Sequence, residues 1–230
     1  MSMNEHSYQG AVATEGSVID LTSPAARKVL RNTYMLLAMT LAFSAVVAGV
    51  AAALRMPFLH PVVTIACYLG LFFAVAKFRN SSMGVLLVFA LTGFLGYTLG
   101  PLLSVYLSLP NGSGIVMMAL GGTASIFFAM SIIALTSKRD FSFVGKFLFA
   151  GILVAFLAGV VTIFFPMPAL ALVVSTVFIL LSSGLILWQT QSIIRGGETN
   201  YVMATVTLYV SLYNIFVSLL HILQVFSGDD

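Results

Sequence analysis

The chain has 230 residues, 60% of them hydrophobic and 7% charged, with a formal net charge of +3 and a mean hydropathy of +1.09. Ten basic and seven acidic side chains cannot cover the surface of a soluble domain of this size, because about a quarter of the residues in such a domain are charged. The same values exclude disorder along the whole chain and a nucleic-acid binder with a clustered basic face, and leave a polytopic membrane protein.

Residues 1–26 are polar, carry Glu5, Glu15 and Asp20, and are rich in Ala, Gly, Ser and Thr. They contain no apolar run ahead of a cleavage site, so they read as a flexible tail rather than a signal peptide. Beyond them, a helical span needs about 20 apolar residues to cross a hydrocarbon core about 30 Å thick. Charge-free stretches of this kind lie at 33–54, 59–76, 83–108, 115–136, 147–165, 170–190 and 201–226. They predict an all-α bundle of seven transmembrane helices filling 27–230. The apolar runs are continuous rather than alternating, which excludes a β-barrel.

Orientation follows from Lys and Arg. Arg27, Lys28 and Arg31 precede helix 1, Lys77 and Arg79 follow helix 2, and Lys138, Arg139 and Lys146 follow helix 4. Arg195 follows helix 6, and Arg55 alone falls on the opposite side. This asymmetry places the N-terminus in the cytoplasm and the C-terminus, with Asp229 and Asp230, outside. Six or eight spans would break the alternation. The outer connections at 55–58, 109–114 and 166–169 are short and built from turn formers such as Pro110, Asn111, Gly112, Gly114, Pro166 and Pro168, so no external domain is expected.

Taken in order, helix 2 holds the single cysteine, Cys67. It excludes an internal disulfide and reads as a small buried apolar residue. Helices in lipid associate through small residues and interhelical hydrogen bonds. Gly93, Gly96 and Gly100 in helix 3 form such a packing face, as do Gly122, Ser125 and Ala129 in helix 4 and Gly151, Ala155 and Ala158 in helix 5. Pro101 inside helix 3 removes a backbone donor, so a kink or break is expected at Gly100–Pro101, and a break would admit a cavity toward the outside.

Helix 6 carries two polar columns at steps of seven: Ser175, Ser182, Gln189 and Thr176, Ser183, Thr190. In helix 7, Asn200, Thr207, Ser211, Asn214, Ser218 and His221 fall on one stripe, with Ala204 filling the gap. A polar stripe of this length is costly against lipid, so it must face the bundle interior. Helices 6 and 7 should therefore meet along a polar seam or line a wet crevice that could serve as an ion path.

No Asp, Glu, Lys or Arg lies within any predicted span, so the carboxylates that proton relays and cation paths use are missing. Helix 7 has no lysine for a retinal Schiff base. A Ser–His hydrolase would need Ser183 or Ser211 activated by His221, but Ser211 sits about 15 Å away along the helix. No enzyme activity, cofactor or metal site is expected. On the cytoplasmic side, Lys138, Arg139, Asp140, Arg195 and Glu198 could form a docking face or anchor the helices at the headgroups.

Several runs resemble the Bax inhibitor-1 family. Gly96-Tyr-Thr-Leu-Gly-Pro-Leu-Leu103 is similar to its glycine–proline signature, and Thr136-Ser-Lys-Arg-Asp-Phe-Ser-Phe143 to its basic run after helix 4. Trp188-Gln-Thr-Gln191 and Leu208-Tyr-Val-Ser-Leu-Tyr-Asn-Ile-Phe216 resemble its last two helices. Lys28-Val-Leu-Arg-Asn-Thr-Tyr34, Thr92-Gly-Phe-Leu-Gly-Tyr97 and Gly196-Gly-Glu-Thr-Asn-Tyr201 look closest to its proteobacterial YccA branch. The resemblance covers nearly everything from Arg27 onward.

It implies a seven-helix bundle with a central last helix, in the bacterial inner membrane. It also implies two functions. One is modulation of a membrane-bound AAA+ protease of FtsH type, for which residues 1–26 would be the handle. The other is the calcium leak of the wider family, gated by two aspartates. Here Gln189 and Ser211 stand at the matching positions, and neither can share a proton as a carboxylate pair does.

Overall fold

The computed structural model describes residues 23–137, 139–141, 143–165 and 167–227. Most of the predicted tail, together with Lys138, Pro166, Asp229 and Asp230, lies outside the described residues. The helices are α1 (Pro24–Ala53), α2 (Pro61–Phe78), α3 (Ser82–Leu107), α4 (Gly112–Thr136), α5 (Val144–Phe164), α6 (Pro168–Ile194) and α7 (Tyr201–Ser227). All seven are long and apolar enough to cross a membrane. They agree in number and order with the apolar runs of the sequence.

Helix ends are set by capping rather than by the apolar boundary. The Ser23 hydroxyl accepts the Ala26 N–H at 3.1 Å and Pro24 occupies the first turn, so α1 starts well before residue 33. His60 and Pro61 open α2 in the same manner. As a result Arg27, Lys28 and Arg31 belong to α1, Lys77 to α2 and Lys146 to α5. The expectation that every charge would fall outside the helices holds for the apolar cores but not for the helices themselves. Residues 24–26, taken as tail from their polarity, are the first turn of α1.

The odd-numbered helices begin, and the even-numbered helices finish, at the end of the bundle that carries Arg27, Lys28, Arg31, Lys77, Arg79, Arg139, Lys146 and Arg195. This is the basic end of the bundle. The last helix is the hub: α7 packs on α1, α2, α3, α4 and α6. Half of its most apolar stretch is buried, against 6% for α2 and 11% for α5, so those two are peripheral. The core around it includes Leu37, Val88, Leu91, Ile186, Val206, Leu208 and Ile215.

The most extensive packing is between α1 and α3, and glycine makes it possible. A Cβ on Gly96 would lie 2.5 Å from the Ser44 carbonyl oxygen, and one on Gly100 would overlap the Ala51 side chain. The Ser104 hydroxyl then donates to the Ala52 carbonyl at 3.0 Å. The small-residue face read from helix 3 is therefore the α1 contact. Pro101 is buried in it, and α3 runs unbroken from Ser82 to Leu107. Of the two outcomes expected at Gly100–Pro101, a kink or a break, the break does not occur, since α3 is one continuous helix through Pro101.

Two other expectations are corrected. The face of α4 that packs inward holds Ile115, Ala119, Thr123 and Ala134, whereas Ser125 and Ala129 are exposed. Ser125 bonds its own Gly121 carbonyl at 2.8 Å, so it can face lipid without an interhelical partner. Cys67 is exposed rather than buried, because α2 lies at the rim of the bundle and turns it outward. In α5, Gly151 meets Leu181 of α6 and Ala155 is buried, as its small-residue pattern suggests.

Gly100→Ala and Gly96→Ala should each overpack the α1–α3 contact and cost about 1–3 kcal/mol. Gly121→Ala, where nothing lies within 4 Å of the added methyl, should be neutral. Melting temperatures in detergent test this ranking, and equal stability of all three variants would refute it.

Candidate functional site

The interior of the bundle holds hydrogen bonds at several levels, and most converge on α7. Nearest the basic end, the Thr205 hydroxyl bonds its own Tyr201 carbonyl at 2.7 Å and reaches the Thr33 carbonyl of α1 at 3.3 Å. One turn deeper, the Tyr209 hydroxyl pairs with the Ser44 hydroxyl of α1 and donates to the Thr92 carbonyl of α3 at 3.3 Å. Another turn on, the Tyr213 hydroxyl pairs with the Thr98 hydroxyl of α3 at 3.0 Å. Near the far end, the Ser175 hydroxyl of α6 pairs with Nδ1 of His221 at 2.9 Å. A separate node joins α1, α4 and α6: the Tyr34 hydroxyl donates to Ser131 at 3.1 Å and pairs with Thr190 at 3.3 Å.

Helix 7 thus has two polar faces. The predicted stripe is one of them, and Ser211 and Ser218 on it are buried. The other, set by Thr205, Tyr209 and Tyr213, lies on the opposite side and makes the bonds to α1 and α3. Sequence reading missed this second face because tyrosine is counted among the hydrophobic residues. The available signal was the spacing of four between Thr205, Tyr209 and Tyr213. Tyr34, Ser44 and Thr98 were missed for a related reason: each is an isolated polar residue in an apolar run.

Helices α6 and α7 pack together, joined across their contact by the Ser175–His221 bond. Ser175, Ser182 and Gln189 are all buried on α6. The Ser175–His221 bond sets the antiparallel register, and both helices step by seven, so Ser182 comes level with Asn214 and Gln189 with Thr207. Ser211 bonds only the Thr207 carbonyl of its own helix, at 2.8 Å. The Ser182 hydroxyl and Gln189 Nε2 are buried with no hydrogen-bond partner among the described residues. In the second α6 column, Thr176 and Ser183 bond their own helix, through the carbonyls of Leu172 and Ile179, and only Thr190 reaches another helix. His221 pairs with Ser175, which the sequence placed in a polar column of helix 6 but not opposite His221, and not with Ser183 or Ser211.

Asn200 leaves the predicted stripe. It caps α7 by accepting the Met203 N–H at 3.0 Å, and its amide donates to the Arg79 carbonyl and to Asn80 Oδ1, at 3.0 and 2.7 Å. It therefore fastens α7 to the α2–α3 turn instead of lining the interior.

Of the predicted docking residues, the structure brings three together. Arg195 contacts the Asp140 carboxylate at 3.3 Å and donates to the Arg139 carbonyl at 2.7 Å. Gln191 completes this clasp: its amide donates to the same carbonyl at 2.6 Å and accepts the Phe141 N–H at 2.8 Å. Gln191 was not singled out from the sequence, although a glutamine at the end of an apolar helix is a usable signal. Glu198 is spent elsewhere, accepting the Asn200 N–H at 2.8 Å. Lys138 lies outside the described residues. The cluster ties the α4–α5 connection to the end of α6.

These features define a seven-helix membrane bundle built around its last helix. A model of the family described as inhibitors of apoptosis-promoting Bax1 matches residues 26–228. The chain belongs to this family, the Bax inhibitor-1 family. Over 202 residues it is 53% identical to the modulator of FtsH protease YccA of Escherichia coli K12, covering 88% of this chain and 92% of that one. It is likewise 53% identical over 202 residues to a protein of Escherichia coli O6:H1 named inner membrane protein YccA, with the same coverage of both chains. An uncharacterized Pseudomonas aeruginosa protein is 48% identical over 230 residues, covering 99% of this chain and all of that one.

Tyr209→Phe removes the hydroxyl that ties α7 to both α1 and α3. Interhelical hydrogen bonds in membranes contribute about 0.6 kcal/mol on average, so the variant should lose about 1 kcal/mol. Unfolding in mixed micelles measures it. A Ser125→Ala variant, at an exposed side chain bonded to its own helix, serves as the neutral comparison.

Proposed function

We propose that this chain is an inner-membrane protein that binds and restrains a membrane-bound AAA+ protease of FtsH type, with its basic end and N-terminus in the cytoplasm. The observation that carries the reading is the 53% identity to a relative named as a modulator of that protease, across nearly the full length of both chains. The distribution of charge supports the orientation, since among the described residues every Lys and Arg but Arg55 lies at one end of the bundle.

The bundle suits a client that is gripped but hard to extract. An AAA+ protease needs an unfolded handle, and residues 1–22 precede α1 at the basic end. Pulling from there loads α1 first. Helix α1 is held by the glycine contacts to α3, by Ser44 to Tyr209 and by Tyr34 to α4 and α6. Extraction must break these together, inside lipid, where freed polar groups find no water. A regulator of this kind needs no catalytic residue of its own, in keeping with a relative named as a modulator.

A second reading rests on the buried, unpartnered Ser182 and Gln189 along α6. A hydrated seam between α6 and α7 would satisfy both groups and give a route for an ion such as calcium. Neither Gln189 nor Ser211 titrates, so any flux should change little between pH 6 and 8. Liposome flux tests this, and a steep pH dependence would contradict it. Gln189→Asp with Ser211→Asp should introduce pH sensitivity.

The primary reading predicts that the AAA+ protease co-purifies from native membranes with the full chain and not with a chain lacking residues 1–22. Co-purification with both would keep the partner and move the contact to the bundle. Its absence with both would overturn the reading.

A further inference from the structure

At the basic end, the α2–α3 turn and the start of α7 enclose an open cavity of about 650 Å³, lined by Arg79, Asn80, Ser81, Ser82, Val85, Thr199, Asn200 and Tyr201. Its walls are fixed, because the Asn200 amide pins the α2–α3 turn through Arg79 O and Asn80 Oδ1. The Arg79 side chain is exposed, and its guanidinium makes no ion pair or hydrogen bond among the described residues. Lys77, also exposed, lies two residues away over the Phe78 ring. Among the described residues, the Glu198 carboxylate beside Thr199 already accepts the Asn200 N–H. A cationic, partly apolar cavity with rigid walls is a seat for an acidic segment.

We propose that the acidic N-terminal segment of this same chain, residues 14–22, docks in this cavity with Asp20 and Glu15 toward Arg79. Three observations choose this occupant. Residues 1–22 contain Glu5, Glu15 and Asp20 and no Lys or Arg, and so complement the basic end. The chain enters α1 at Pro24, at the same end as the cavity. Reach is sufficient: at about 3.3 Å per extended residue, Asp20 lies within about 13 Å of Pro24 and Glu15 within about 30 Å. Helix α1 packs directly on α3 and α7, whose first turns form the cavity wall, and packed helices lie only 8–10 Å apart as a rule.

The bilayer is the weaker competitor for this segment, because anionic headgroups on the cytoplasmic leaflet repel carboxylates. Val18 and Ile19 supply apolar side chains suited to Val85 and Tyr201. Exposed ion pairs are individually weak and are screened by salt. Tethering nevertheless keeps the segment at millimolar effective concentration, so docking is reversible and salt-sensitive. The consequence rests on the reading of residues 1–22 as a protease handle: docking would hold part of the handle against the bundle, and the protease would compete with Arg79 for it.

The test uses the full chain in nanodiscs without protease, so its result is independent of the interaction with the protease. In a Cys67→Ser background, Ser17→Cys and Ser82→Cys are combined and oxidised, and an internal cross-link is read on a gel. Low salt should give efficient internal cross-linking. Arg79→Glu, or 1 M salt, should reduce the yield at least fivefold. Adding Glu15→Arg and Asp20→Arg to Arg79→Glu should restore it. A control pairing Ser17→Cys with Asn111→Cys, at the other end of the bundle, should give none. Equal yields with and without Arg79→Glu would overturn the proposal. So would a cross-linked dimer in place of the internal product, which would mean that a second copy fills the cavity.

Discussion

The hydrogen bonds of Tyr209 to Ser44 and to the Thr92 carbonyl bind three helices at one buried point, and the rest of the bundle is arranged around them. Lipid gives helices no hydrophobic reason to associate, so polar pairs and close backbone approach must do so. Both occur at this level. Ser44, which holds Tyr209, is also the residue against which Gly96 of α3 packs. A side chain on Gly96 would push α3 away from α1 and separate Thr92 from Tyr209. The glycine face and the tyrosine face are thus one device, and α7 is central because it is fastened on both sides.

This arrangement links the fold to the proposed restraint of a protease. The helix that follows the proposed N-terminal handle, α1, is also the helix with the most extensive contacts to α3 and with bonds to α4, α6 and α7. Force applied at residue 23 therefore meets the most interlocked part of the molecule first. The peripheral helices α2 and α5 would be poor places to resist, and neither adjoins the handle. The Gln191–Arg195 clasp and the Asn200 cap perform a comparable task for the connections, closing the basic end against fraying.

Much of this was legible in the sequence. The number of helices followed from continuous apolar runs, because lipid permits only satisfied backbone. The α3 glycine face followed from its spacing, and the burial of Ser211 and Ser218 on α7 from the cost of polar groups in lipid. Other features were hidden for physical reasons. Tyrosine is counted among the hydrophobic residues, so the Tyr209 and Tyr213 hydroxyls went unseen. A serine that bonds its own helix can face lipid, so Ser125 misled the reading of α4. Neighbour position decides the exposure of Cys67, and no local pattern encodes that α2 lies at the rim. Capping by Ser23 carries α1 beyond its apolar core, which composition cannot reveal.

The most direct test of the central claim is degradation of the purified chain by an FtsH-type protease in nanodiscs with ATP. The full chain is compared with a variant carrying both Tyr209→Phe and Tyr213→Phe, which keeps the tail and the charges. If the interlock around α7 resists extraction, the variant should be degraded several-fold faster and should protect a second substrate less well. Equal degradation rates for the two chains, with the variant folded, would contradict the account.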